Sequence, residues 1–227
     1  MSGFDANNVH NTSMISTRNL TELPDIQGFR RLTRSLAMLD AIMSPEWESR
    51  YYSFDSHWGD GQLMASMRDG SGDHWFALIS PVGVALHGLA HESAAFRDGS
   101  PWPGILDSLP IEFRDDFLME PAFDTANSSF CIWRRATDGR WSTGAVQLPP
   151  GDDPDGSQEL LSILDGNPQR YAAFSAEYYE RAIDVADVEA MYRHEALTDA
   201  LARRLNPDVD LESLAADIAE IGYPDRG

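Results

Sequence analysis

The chain contains no lysine, a single cysteine and no long run of apolar residues. All 17 basic residues are therefore arginines, and a phosphate-binding P-loop is excluded because that motif requires a lysine. Cys131 has no partner for an intrachain disulfide, and its position in the apolar run FCIW indicates a buried, unreactive thiol. No segment reaches the roughly 18 consecutive apolar residues typical of a membrane-spanning helix. The sequence therefore predicts a soluble, cytoplasmic protein.

Positive charge is scarce relative to negative charge. The 227 residues include 37 acidic and 17 basic side chains, which gives a formal net charge of −20 at pH 7. Nucleic acids and anionic membrane surfaces are bound through cationic contacts, so this charge disfavours both as partners. It favours a basic protein as the partner instead. The hydrophobic share of 42% is typical of a globular protein with a sizeable core.

The stretch from Arg50 to Ser93 predicts the centre of the fold. It contains four short, apolar segments separated by Asp-Gly, Gly-Ser-Gly and Pro-Val-Gly, which are turn sequences. These segments predict an antiparallel four-stranded meander. The third and fourth segments are apolar on both faces, so we expect them to be central strands and the first strand to be an edge.

Turn length sets the expected strand register. The two-residue Asp-Gly turn predicts Phe54 opposite Met67 and places Trp58 on the same apolar face as Phe54. The Gly-Ser-Gly turn then sets Arg68 opposite His74. Burial favours this register because a three-residue first turn would mix the polar and apolar faces.

Segments on both sides of the meander indicate an α+β fold. Apolar residues recur at helical spacing after Asp25, and FCIWRR followed by a second Asp-Gly turn indicates a further hairpin. The predicted fold is an antiparallel sheet, made of the central four-strand meander plus the second hairpin, packed by an N-terminal helix, with a helical C-terminal third. The predicted organisation is a mobile tail at 1–19, an α+β sheet domain at 20–150 and a helical region packed on the same domain at 151–227.

One face of the predicted meander carries polar side chains of types that occur in catalytic sites: Asp55, His57, Ser66, Arg68 and His74. A serine, a histidine and an aspartate near one another can act as nucleophile, base and orienting group. However, Ser66 lies in the middle of a strand, and the chain has no Gly-x-Ser-x-Gly motif. A hydrogen-bonded polar patch is therefore the favoured interpretation, and a catalytic site is the alternative.

A metal site at His87 and His91 is a weaker alternative. Two histidines four residues apart bind zinc when both lie on one helix. Gly88 and the surrounding sequence VGVALHG indicate a strand instead, on which the two side chains share a face but lie apart. The acidic run at 151–156 lacks the glutamate that completes a calcium-binding loop. We therefore predict no metal and no cofactor.

Six segments carry a resemblance to known sequences: PEWESRYYSF, ASMRDGSGDHWF, HGLAHES, PWPGILDSLP, FCIWRR and DPDGSQELLSILDG. At these segments the chain resembles a bacterial family of small acidic cytosolic proteins of unassigned function. The resemblance extends from about Ile42 to Tyr223. It implies a bacterial, cytosolic origin and a shared fold, and it brings no activity, cofactor or catalytic residue to this chain.

These observations favour a non-enzymatic, acidic protein-binding module that recognises a basic protein partner. A bacterial immunity protein that neutralises a cationic toxin has this profile, because it is small and acidic and carries no catalytic motif. Electrostatic attraction accelerates the capture of such a partner. The alternative is a metal-dependent hydrolase that uses the face formed by Asp55, His57, Arg68 and His74. A structural subunit of a larger assembly is a third reading.

Overall fold

A computed structural model describes residues 14–225 of the chain. Its helices are α1 (Ile26–Met43), α2 (Ile111–Phe113), α3 (Ser157–Leu161), α4 (Pro168–Tyr178), α5 (Val185–Tyr192), α6 (Asp199–Leu205) and α7 (Leu211–Ile221). Its strands are β1 (Tyr52–Gly59), β2 (Gln62–Arg68), β3 (His74–Ser80), β4 (Gly83–Leu89), β5 (Phe130–Arg135) and β6 (Ser142–Thr143).

The strands form one antiparallel sheet whose spatial order follows the sequence order from β1 to β6. The second hairpin extends the meander because β5 pairs with β4, with Phe130 opposite Gly88. As predicted, β1 is an edge strand and β3 and β4 are central. With α1 and the C-terminal helices, this sheet confirms the predicted α+β fold.

The turn chemistry predicts part of the register correctly. Gly59 pairs with Gln62 across the two-residue turn, and Arg68 pairs with His74 across the next turn. The predicted pairing of Phe54 with Met67 is wrong, because Phe54 pairs with Ala65. An irregularity in β1, in which three residues between Asp55 and Gly59 face one residue of β2, moves the pairing by two positions.

The irregularity in β1 also corrects the predicted position of Trp58. Its ring stacks on Phe123 at 5.5 Å between centroids, within the cluster that covers the second face of the sheet. Phe54 belongs to the core on the first face. A bulge rotates the strand between these two residues, so a strict alternation places the tryptophan on the wrong side.

Helix α1 covers the first face of the sheet, as its apolar spacing predicts. The side chain of Asp25 caps the helix by accepting a hydrogen bond from the backbone N–H of Gly28 at 2.7 Å. Phe29, Leu36 and other apolar residues of α1 are fully buried in the larger core cluster. The helix ends at Ser44, immediately before a proline.

A buried carboxyl group joins α1 to β1 and α4. Asp40 Oδ2 accepts the backbone N–H groups of Tyr51 and Tyr52, both at 2.8 Å, and Oδ1 accepts the hydroxyl of Tyr171 at 2.6 Å. Burial raises the pKa of Asp40 to about 6, while these hydrogen bonds act in the opposite direction. The junction therefore holds a carboxyl group that titrates near neutral pH.

The connection from β4 to β5 covers the second face of the sheet. Its buried aromatic residues are Phe113, Phe117 and Phe123. A helix with Ile111 on its apolar side is expected over 110–120, but only α2 is α-helical and Arg114–Leu118 continues as a π-helical turn. Ile111 is 80% exposed, so its predicted burial is wrong. Both faces of the central strands are covered, as their apolar composition predicts.

The C-terminal third is helical, and its caps follow the expected residues. Asn167, Asp184, Thr198 and Asp210 cap α4, α5, α6 and α7, in that order. Two carboxylates accept hydrogen bonds from the first turn of α3: Asp155 from the backbone N–H of Ser157, and Asp153 from those of Gln158 and Glu159. No helix within residues 14–225 combines the length and apolarity needed to cross a bilayer.

Residues 1–13 of the expected mobile tail lie outside the described residues. Within 14–19, Ile15 is buried and Thr17 lies against the start of α3. The Thr17 hydroxyl donates to Asp155 Oδ2 at 2.5 Å, and the Thr17 backbone N–H donates to Ser157 Oγ at 3.0 Å. This segment therefore contacts the C-terminal region across the sheet edge.

Candidate functional site

The register of β2, β3 and β4 brings three polar residues onto the second face of the sheet. Ser66 and His87 pair with Phe76 from the two neighbouring strands, and His74 lies two residues from Phe76 on the same face of β3. The rings of His74 and His87 are 6.0 Å apart between centroids. Ser66 and His87 are buried, and Phe117 packs against His87 at 5.7 Å.

Burial determines the protonation of these two histidines. It lowers the pKa of His87 to about 3 and also lowers the pKa of His74. Both imidazoles are therefore neutral at pH 7. The Nδ1 atom of His87 lies 2.9 Å from Ser128 Oγ, which anchors the ring to the β4–β5 connection. A general base works best when its pKa is near the operating pH, so His87 is poorly matched to that role.

No hydrogen bond between side chains of the described residues joins the serine, histidine and aspartate of the predicted set. His57 is exposed at the irregular part of β1, where its backbone N–H donates to Asp55 Oδ1 at 2.6 Å. Its ring contacts the neighbouring Ser56, with 3.2 Å between Nδ1 and Oγ. Ser66 Oγ has no hydrogen-bond partner within the described range. Asp55 is half-buried and pairs with Met64, two residues from Ser66, whereas the exposed His57 lies in the irregular part of β1 and makes no hydrogen bond or ring contact with the buried residues in the described part of the chain.

Arg68 lies at the margin of this face and has an aromatic partner. Its guanidinium carbon is 4.2 Å from the centroid of the Trp47 ring and 6.0 Å from that of Phe76. Burial lowers its pKa. The contact with Trp47 is a cation–π interaction, which fixes the arginine without a carboxylate.

His91 lies away from His87 and pairs with an aspartate. Asp73 Oδ1 accepts the His91 backbone N–H at 2.8 Å and lies 2.6 Å from its Nδ1. This hydrogen bond raises the pKa of His91. No group of three or more His, Cys, Asp or Glu side chains between residues 14 and 225 is placed to hold a metal ion.

An acidic cleft lies next to this ion pair. We define the acidic cleft by the carboxylates of Asp69, Asp73, Glu92, Asp153 and Glu159, which line a volume of about 560 Å³ together with His91 and small residues. No arginine is among its lining residues. Because like charges in a concave surface reinforce one another, the cleft concentrates the negative potential of the chain.

Turns and caps position the cleft carboxylates. Asp69 Oδ1 accepts three backbone N–H groups of the β2–β3 turn, from Ser71, Gly72 and Asp73. Asp153 is held by the N–H groups at the start of α3, and burial raises its pKa. The side chains of Glu92 and Glu159 make no hydrogen bond or salt bridge within the described chain. They are therefore free to meet a cationic group.

A glycine allows α3 to approach the end of β4 and close this cleft. Gly156 has a φ of 72°, and a Cβ atom at this position would lie 2.1 Å from the Cβ of Ala90. A larger residue would push α3 away from the strand, and with it Asp153 and Glu159.

Sequence reasoning missed the cleft because its carboxylates come from three distant segments. The acidic run at 151–156 is expected to be a solvated loop that caps the next helix. Asp153 does cap α3, but Pro154, Asp155 and Gly156 are buried, so the expected solvation is wrong for the second half of the run. The density of aspartates around the β2–β3 turn is the one local signal. Neither pattern indicates that the two segments meet beside His91.

The comparisons with known proteins add no relationship to this geometry. No family model, no curated protein and no solved structure matches the chain.

Proposed function

We propose that the protein is a non-enzymatic binding module that recognises a basic protein partner through the acidic cleft. The observation that carries this proposal is the convergence of five carboxylates, with no arginine among them, around a volume of about 560 Å³. The net charge of −20 supports it, since a field of one sign steers an oppositely charged partner. Bacterial origin, a cytoplasmic location and an immunity-protein role are parts of the same proposal.

The cleft chemistry suits an arginine or lysine side chain of the partner. Glu92 and Glu159 offer carboxylates that make no other hydrogen bond or salt bridge within residues 14–225. Asp73 is already paired with His91, so it contributes negative charge and shape to the cleft more than a new hydrogen bond to the partner. A long cationic side chain places its charge between the two glutamates and its aliphatic part against Ala90 and Ser93.

A titration with a fluorescent oligoarginine peptide tests this proposal. We expect binding that weakens as sodium chloride is added, and no binding of a matched oligoglutamate peptide. The double variant Glu92→Gln/Glu159→Gln removes the two unpaired carboxylates. It should weaken binding roughly tenfold, since each exposed charge pair contributes up to about 1 kcal/mol.

The matched control is Glu22→Gln/Glu177→Gln, which changes two exposed glutamates outside the cleft and alters the net charge equally. If both double variants weaken the peptide to the same extent, the attraction is diffuse and the cleft is not the site. Binding without dependence on ionic strength would remove the electrostatic basis of the proposal.

A further inference from the structure

A cluster of positive charge lies on the polar side of α1, despite the strongly acidic composition. We define the α1 cationic patch as Arg30, Arg31 and Arg34, together with the uncharged ring of His194 near them. The three arginines lie within five positions of one helix, and Arg30 and Arg34 are one turn apart on the same side. His194 follows α5 with a left-handed φ of 61°, and its ring lies 4.7 Å from that of Tyr223.

The charges of the patch act on one another. Burial and, to a smaller extent, the neighbouring charges of Arg34, Arg31 and Arg30 together lower the pKa of His194 to about 4. Burial also lowers the pKa of Arg34 to about 10, with a contribution from Arg30. The geometry agrees, because Arg34 Nη2 lies beside Gly222 and the ring of His194 packs against the next residue, Tyr223.

The patch has no internal counter-charge among residues 14–225. None of its three arginines forms an ion pair there, whereas Arg50 and Arg204 pair with Asp217 and Asp187. The buried atoms Arg30 Nε, Arg34 Nε and His194 Nε2 have no hydrogen-bond partner within the same range. Buried N–H donors are normally satisfied, so the two arginine Nε atoms indicate a missing acceptor.

Packing holds one of these charges in place. The Arg34 guanidinium carbon lies 4.9 Å from the centroid of the Phe54 ring, and Nη2 lies beside Gly222 at the C-terminal end of α7. The helix dipole at that end compensates part of the charge of Arg34. The dipole does not compensate the charges of Arg30 and Arg31, so the patch has a surplus of positive charge on a rigid helix.

We propose that the α1 cationic patch binds a phosphate group, either as the free ion or carried by a small molecule. Guanidinium groups bind phosphate through paired N–H donors, and a dianion with several oxygen acceptors can engage more than one arginine. A carboxylate has one negative charge and two oxygens, so it satisfies the patch less completely. This site is independent of the acidic cleft and does not rest on the proposed protein partner.

Calorimetric titration of the full chain with sodium phosphate, at pH 7.5 and constant ionic strength, tests the site. We expect saturable binding of inorganic phosphate, with sodium acetate binding at least tenfold more weakly. Phenyl phosphate distinguishes the sources, because tighter binding of the ester than of the ion indicates a phosphate carried by a small molecule. Comparable affinity of the two indicates the free ion.

Variants locate the site. Arg30→Gln/Arg31→Gln should weaken phosphate binding at least tenfold, and glutamine preserves the helix. Arg97→Gln/Arg203→Gln removes two exposed arginines outside the patch and should leave the affinity unchanged. Arg31→Gln alone changes an exposed side chain, and its phosphate affinity can be measured if the double variant folds poorly. No saturable phosphate binding, equal affinity for acetate, or wild-type affinity in both folded patch variants would overturn the proposal.

Discussion

Replacement of Asp40 by asparagine tests the buried junction of α1, β1 and α4. Asparagine has nearly the same shape, and its carbonyl oxygen can accept the N–H groups of Tyr51 and Tyr52 in place of Oδ2. The amide nitrogen takes the place of Oδ1, so the Tyr171 hydroxyl can no longer donate at that position. This change is present at every pH, so the pH dependence of the effect of Asp40→Asn isolates the ability of Asp40 to ionise.

The pKa of Asp40 sets the magnitude and the sign. It is about 6 in the folded chain against 3.8 for an exposed aspartate. Between these values the folded state binds more protons than the unfolded state, so the free energy of unfolding falls as pH rises. The full difference of about two pKa units corresponds to about 3 kcal/mol. Between pH 5 and pH 7.5 the contribution to the free energy of unfolding changes by about 1.4 kcal/mol, because pH 5 lies one unit below the pKa of the folded state.

Urea unfolding followed by tryptophan fluorescence measures this contribution at pH 5 and at pH 7.5. We expect the stability of Asp40→Asn relative to wild type to increase by about 1.4 kcal/mol over that interval, because only the wild type loses its neutral carboxyl. Asp25→Asn is the matched control for the loss of one charge, since asparagine caps α1 as well as aspartate does. A difference between Asp40→Asn and wild type that is constant with pH would refute the reasoning.

Two further substitutions test contacts described above. Tyr171→Phe removes the hydroxyl that donates to Asp40 at 2.6 Å, so we expect urea unfolding to show a loss of about 1.5 to 3 kcal/mol at pH 7.5 and a smaller loss at pH 5; equal losses would mean that the bond does not depend on the charge. Gly156→Ala should lose about 1 to 3 kcal/mol in the same assay because of overpacking against Ala90. This loss should exceed that of Gly166→Ala, which has the same φ of 72° but whose added Cβ would meet only Leu32 Cδ2, at 4.0 Å; equal losses would assign the effect to backbone strain alone.

Local chemistry in the sequence predicts most of the secondary structure. Asp-Gly and Gly-Ser-Gly turns, helix caps and apolar spacing depend on neighbouring residues, so a single chain displays them. The position of Trp58 is wrong because a bulge changes the face of a strand without leaving a turn residue or a break in alternation. Ile111 is misplaced for a related reason, since a π-helical turn alters the helical period on which its burial depends.

The candidate sites are less predictable because they join segments far apart in the chain. The Asp73 and His91 pair spans 18 positions, and the acidic cleft adds α3 from the C-terminal third. Composition predicts that carboxylates are abundant but not that five of them share one concave surface. The polar face of the meander shows the converse, because Asp55 and Ser66 share a predicted face while only Ser66 enters the buried group.

The α1 cationic patch is not explained by the charge balance that favours a basic partner. With 37 acidic residues for 17 arginines, the chain has more than two carboxylates for every guanidinium. A shortage of counter-charges therefore does not explain why Arg30, Arg31 and Arg34 lack them. The helical spacing predicts that these arginines share one side of α1, but the approach of His194 depends on the tertiary fold. A patch that remains unpaired amid such an excess of acid is better explained by an external anion than by chance placement, and phosphate titration distinguishes the two explanations.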